Sequence, residues 1–126
     1  LRCLVGSEMC IRDRYKTVYI CEGAINAETI GENGIATGGK AISRYQVNRF
    51  IKSPVEKFII LIDPDAKDKA LDLAFKLVPF KKVKVVFLPD NEDVNSLGKR
   101  KTLEYVRKTT YQTYQELLTI KSELKL

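Results

Sequence analysis

Three apolar stretches of this chain each run into acid. Residues 17–21, "TVYIC", deliver Glu22 and Gly23. Residues 57–62, "KFIILI", deliver Asp63, Pro64 and Asp65. Residues 82–89, "KVKVVFLP", deliver Asp90, Glu92 and Asp93. Carboxylates held within one or two strand spacings of each other repel and raise one another's proton affinity. A hard divalent cation relieves that repulsion, and oxygen donors of this kind suit Mg²⁺ or Mn²⁺ with water filling part of the shell. Each acid also has a plainer reading. Asp63 or Asp65 could cap a helix starting near Ala66, Glu22 could be a surface residue, and residues 90–93 could be a solvated turn. Three acidic strand ends in one chain favour the cation.

The elements that must position these acids alternate. "TVYIC" is β-branched and aromatic, a strand by propensity. Ala24, Ile25, Ala27, Glu28 and Ile30 suit a short helix that Gly31 or Gly34 would stop. "IATGGK" is a short strand entering a glycine turn. Residues 42–53 read as a helix with Ser43 as N-cap, ended by Pro54. Residues 57–62 read as a strand covered on both faces, with Phe58 to Ile62 apolar without alternation. A helix over 66–80, a strand over 82–89, an acidic loop over 90–98 and one or two helices over 101–126 follow. This is the pattern of βαβ units in a parallel sheet, whose carboxyl edge collects functional groups.

Composition narrows the chemistry. The 126 residues suffice for one compact domain, and 44% hydrophobic with 30% charged residues marks a globular chain. There is no histidine, which removes the commonest general base and zinc ligand. Cys3, Cys10 and Cys21 contain no CxxC pair, and their odd number suits a reducing, cytoplasmic setting. No apolar run approaches the roughly 20 residues that span a bilayer. A net charge of +6 permits a polyanionic partner.

The first 14 residues, "LRCLVGSEMCIRDR", show no helical or strand period and no signal-peptide core. "VGSEMCIRDR" resembles read-through translation of a sequencing adapter. On that reading residues 1–14 are not native, and the natural chain is expected to extend upstream of about Tyr15. The remainder divides into a domain over 15–98 and a C-terminal helical extension over 99–126.

The order of the segments carries a resemblance. "VYICEGAINAETIGENGIATGGK", "FIILIDPDAKDKALDLAFKL" and "VVFLPDNEDVNSLG" together resemble the Toprim domain, shared by bacterial- and phage-type DNA primases, type IA and II topoisomerases and some nucleases. The match covers roughly residues 17–98. Its marks are an EG after the first strand, a glycine turn after the second, a DxD after the third and an acidic "LPxxxD" after the fourth. Within that group the sequence is similar to primases, phage-encoded ones in particular, through Glu22-Gly23, Gly34-Ile35, Gly38-Gly39, Asp63, Asp65, Leu88-Pro89, Asp93, Asn95 and Leu97.

The resemblance implies a Rossmann-like α/β fold of about four mostly parallel strands flanked by helices. It implies that Glu22, Asp63, Asp65 and Asp93 hold Mg²⁺ (or Mn²⁺) or support its ligands, with Gly23, Asn26 and Asn95 beside them. The activity implied is nucleotidyl transfer for RNA primer synthesis, with single-stranded DNA and nucleoside triphosphates as partners. A replicative helicase, or upstream zinc-binding and basic primase domains, would be further partners. Glu22 would be general base or ligand; both stay open. Lys40 and Arg44, at a helix start after the glycine turn, suit phosphate binding. Lys99 and Arg100 open a basic cluster suited to template phosphates.

Two departures weaken the metal set: Asn26 and Asn95 stand where family members commonly carry Asp. A Toprim nuclease or topoisomerase, and a non-catalytic DNA-binding module, are the alternatives. An Asp-x-Asp hydrolase fits less well, because Lys67 stands where Thr or Val is usual. A response-regulator receiver would need the acidic pair on the first strand.

Overall fold

The computed structural model describes residues 15–38, 41–61 and 63–126. The expectation for residues 1–14, and the one for Lys40, lie outside the described residues. Four strands, β1 (Thr17–Cys21), β2 (Gly34–Ala36), β3 (Lys57–Leu61) and β4 (Lys82–Val86), form one sheet in the order β2-β1-β3-β4. All the pairings are parallel, and Cys21 stands level with Leu61, which stands level with Val86. Successive strands therefore need crossovers, and among the described residues six helices supply the crossovers and the tail: α1 (Ala24–Ile30), α2 (Arg44–Lys52), α3 (Lys67–Leu77), α4 (Val94–Leu97), α5 (Lys99–Lys108) and α6 (Tyr114–Glu123).

Side chains alternate between the two faces of the sheet. Val18, Ile20, Ile35, Phe58, Ile60, Val83 and Val85 face one core, closed by Val47 and Phe50 of α2, the Leu71–Leu77 side of α3 and Leu117 of α6. Cys21, Ala36, Ile59, Leu61 and Val86 face the other, closed by Ala27 and Ile30 of α1, Val94 of α4 and Val106 of α5. Both faces of β3 are thus covered, which is why residues 58–61 are apolar without alternation. Each fully buried Ile, Leu or Phe contributes about 1.5–3 kcal/mol.

Local chemistry sets the helix starts. Ser43 accepts from the Gln46 N–H while the Gln46 side chain accepts from the Ser43 N–H, a capping box that begins α2 directly after the expected N-cap. Thr113 and Glu116 do the same for α6. At α1 the close fit is backbone against backbone: a Cβ on Gly34 would lie 2.4 Å from the Ala27 carbonyl oxygen. Only glycine lets β2 approach α1 so closely.

The outer edge of β4 is occupied by Gln112. Its backbone N–H donates to the Val83 carbonyl at 3.0 Å. Its side-chain amide accepts from the Val85 N–H at 2.8 Å and donates to the Val85 carbonyl at 3.1 Å.

Candidate metal centre

Glu22 follows β1 directly, and its backbone is pinned. Its carbonyl accepts from Gly38 N–H at 2.9 Å, and the Cys21 carbonyl accepts from Thr37 N–H at 2.9 Å. Gly38 can turn the chain there because it holds a φ of +72°. Asp63 lies beyond the end of β3, the strand beside β1. Pro64 then opens a 3-10 turn (Pro64–Ala66) whose Ala66 N–H donates to the Asp63 carbonyl at 2.9 Å. The tight turn brings Asp65 back beside Asp63. Glu22, Asp63 and Asp65 thereby offer one carboxylate oxygen each, all within 4.8 Å of one another.

The capping alternative fails for both aspartates. Neither Asp63, at the start of the 3-10 turn, nor Ala66, at the start of α3, makes a side-chain cap bond. The turn inserted ahead of α3 moves both carboxylates off the helix and onto the rim. Asp93 does cap. Its Oδ1 accepts from Ser96 N–H at 2.8 Å, starting α4, while Ser96 Oγ accepts from Asp93 N–H at 2.9 Å.

The electrostatics of the rim are those of crowded anions. Burial raises the Glu22 pKa first, the charges of Asp63 and Asp65 add to it, and Lys69 works against it. Burial also raises Asp63, followed by the charges of Asp93 and Asp65. The hydrogen bond between the two raises Glu22 and lowers Asp63. Burial and Asp63 push the neighbouring Cys21 thiol up to about 12. Glu22 Oε2 is buried with no hydrogen-bond partner among the described residues. Three converging carboxylates and an orphaned buried oxygen fit a hard cation.

The other anticipated residues are dispersed. Asp93 stands outside the three-carboxylate group, though close enough for its charge to act on Asp63. Asn26 is buried, and its Oδ1 accepts from the Asn95 N–H at 3.0 Å. Gly23 precedes α1 with open space where a Cβ would point. Arg44 is the exposed first residue of α2. Lys99 extends over Gly31, and the exposed Arg100 reaches Glu104 at 3.8 Å. Lys69, the cation that opposes the acids at Glu22, was not anticipated. Its signal is its place in the first turn of the helix that leaves the Asp-x-Asp segment.

No family model matches the chain, and no curated protein matches it. Solved structures do. The catalytic domain of DnaG primase bound to single-stranded DNA matches with a TM-score of 0.66 at 18% identity, over 82% of this chain and 37% of that one. A DNA primase domain from Pseudomonas aeruginosa matches at 0.65 and 21%, over 76% and 34%. The zinc-binding and RNA polymerase domains of Aquifex aeolicus primase match at 0.64 and 24%, over 77% and 27%. The chain spans about a third of the length of these structures. At these identities the likeness is one of fold: this chain has the α/β fold of the Toprim cores of DNA primases.

Proposed function

We propose that this chain is the metal-dependent catalytic Toprim domain of a DNA primase, working in nucleotidyl transfer for RNA primer synthesis on single-stranded DNA. The observation that carries the reading is the convergence of Glu22, Asp63 and Asp65 within 4.8 Å, in a chain with the fold of primase catalytic cores. Glu22, Asp63 and Asp65 would hold Mg²⁺ or Mn²⁺, with Asp93 behind Asp63. When bound, the cation lowers the pKa of an attacking 3′-hydroxyl and neutralises charge on the phosphates.

The chain's own residues do the rest. Asp63 and Asp65, set on a short turn, hold their oxygens at fixed spacing. Glu22 would either take the hydroxyl proton or hold the cation. Buried Cys21 and Leu61 close the floor of the rim to water. Lys99 and Arg100 would meet template phosphates, and Arg44, with Lys40 on the sequence reading alone, would bind phosphate. Nucleoside triphosphates, with a replicative helicase or upstream zinc-binding and basic domains, would be the partners on this reading. Among the described residues no helix is long and apolar enough to cross a membrane.

The test is thermal unfolding of the chain against Mn²⁺ and Mg²⁺. Wild type gains stability as the cation rises, and Glu22→Gln or Asp63→Asn loses most of the gain. A wild type indifferent to both cations ends the reading. Cleavage of single-stranded DNA without nucleoside triphosphates points instead to a nuclease. Salt-sensitive DNA binding untouched by either substitution points to a non-catalytic module.

A further inference from the structure

α4 has four residues, too few to hold itself together. The first N–H groups of a helix have no partner within it. Asp93 satisfies Ser96 from the same turn. Asn95 is satisfied from 69 residues away, by Asn26 Oδ1 on α1. Asn26 is 6% exposed and sits among the apolar residues that seat α1, so it needs this bond. The far end of the link is rigid, because α1 is locked onto β2 where Gly34 meets Ala27. Asp93 is the N-cap of α4, so the carboxylate set behind Asp63 in the proposed site is carried by that turn.

We propose that Asn26 is a positioning residue: by capping α4 from α1, it fixes the Asp93 carboxylate relative to Asp63 and so sets the cation affinity of the rim. This rests on the metal reading above. The role needs an oxygen acceptor at position 26 and does not need its charge.

The experiment compares Mn²⁺ affinity, by calorimetry, in wild type, Asn26→Ala, Asn26→Asp and Val47→Ala, together with hydrogen exchange of the Asn95 amide without metal. Val47 is buried on the opposite face, so its truncation lowers stability without touching the link. The expected result is an Mn²⁺ affinity about tenfold weaker in Asn26→Ala, with Asn95 exchange accelerated. Asn26→Asp, which keeps the acceptor, binds at least as tightly as wild type, and Val47→Ala binds as wild type. Should Asn26→Ala not fold, Asn26→Leu, which keeps the volume and removes the acceptor, carries the same expectation. The role is overturned if Asn26→Ala binds Mn²⁺ as wild type does, if its loss only equals that of Val47→Ala, or if Asn26→Asp stays weak. A wild type with no Mn²⁺ affinity overturns the metal site first, and the role with it.

Discussion

Lys84 and Glu22 are two ionisable side chains in contact with the sheet, and the fold treats them differently. Lys84 lies mid-strand in β4 and is 7% exposed. Its Nζ donates to the Val106 carbonyl near the end of α5 at 2.9 Å and lies 4.4 Å from the ring centroid of Tyr111. The ammonium is lodged among internal partners. Glu22 has none for its buried Oε2, and the groups around it are mostly other carboxylates. Burial opposes the charge in both: it lowers the Lys84 pKa, with Lys57 adding to the effect, and raises that of Glu22. Where the fold needs a buried charge for its own packing, it supplies the partner. At the carboxyl rim it supplies mostly like charges, with Lys69 working against them at Glu22.

The contrast can be broken most forcefully at Asp63. Asp63→Asn is expected to weaken Mn²⁺ binding beyond the roughly 10–100-fold that supporting residues cost. Calorimetry checks this, and a loss of only a few-fold would reduce Asp63 to a bystander. The same substitution removes a crowded charge, so the metal-free variant should unfold at a higher temperature than metal-free wild type.

Next in size is Lys84→Ala. It strips the Val106 carbonyl of its donor and Tyr111 of its cation, at a cost of about 1–3 kcal/mol. Denaturant unfolding measures the cost, and Mn²⁺ affinity should stay as in wild type. A large fall in affinity would mean that the two regions are not independent.

The smallest effect is on pH dependence. Glu22 and Asp63 bind protons more tightly folded than unfolded. Between ordinary carboxylate values and their raised folded ones, the folded state holds the extra proton, so metal-free stability falls as pH rises. Lys84 has the opposite sign. Its folded pKa is lowered, so between that value and the ordinary lysine value the unfolded state holds the extra proton, and stability rises with pH. Asp63→Asn should flatten the acid limb only, and Lys84→Ala the alkaline limb only, in unfolding curves taken across pH.

What the sequence reveals of this molecule is local or periodic. The run Phe58–Leu61 announces a strand covered on both faces, and helices between strands announce a parallel sheet. Ser43 with Gln46 marks a helix start without any reference to the rest of the chain. The acids after residues 21 and 61 are legible because a parallel sheet forces its strand ends onto one rim. Whether Asp63 and Asp65 cap α3 or leave it is not legible, because it depends on a 3-10 turn of three residues set between Asp63 and the helix. Nor is the use of Asn26. Its partner Asn95 is 69 residues distant, and no spacing rule joins them. The alternation in "KVKVV" places Lys84 opposite Val83 and Val85 but does not say that Val106 and Tyr111 will roof it.

Gln112 bears on how this protein behaves in company. A parallel sheet ends in two strands with a free row of amides and carbonyls, and such a row can recruit a strand from another chain. β2 limits the hazard by being three residues long. β4 is longer, and there the Gln112 side chain stands in for the missing neighbour, occupying both the N–H and the carbonyl of Val85 while its backbone takes Val83. One glutamine thus acts as a stopper against edge-to-edge aggregation, protecting the strand whose far end leads into the acidic segment.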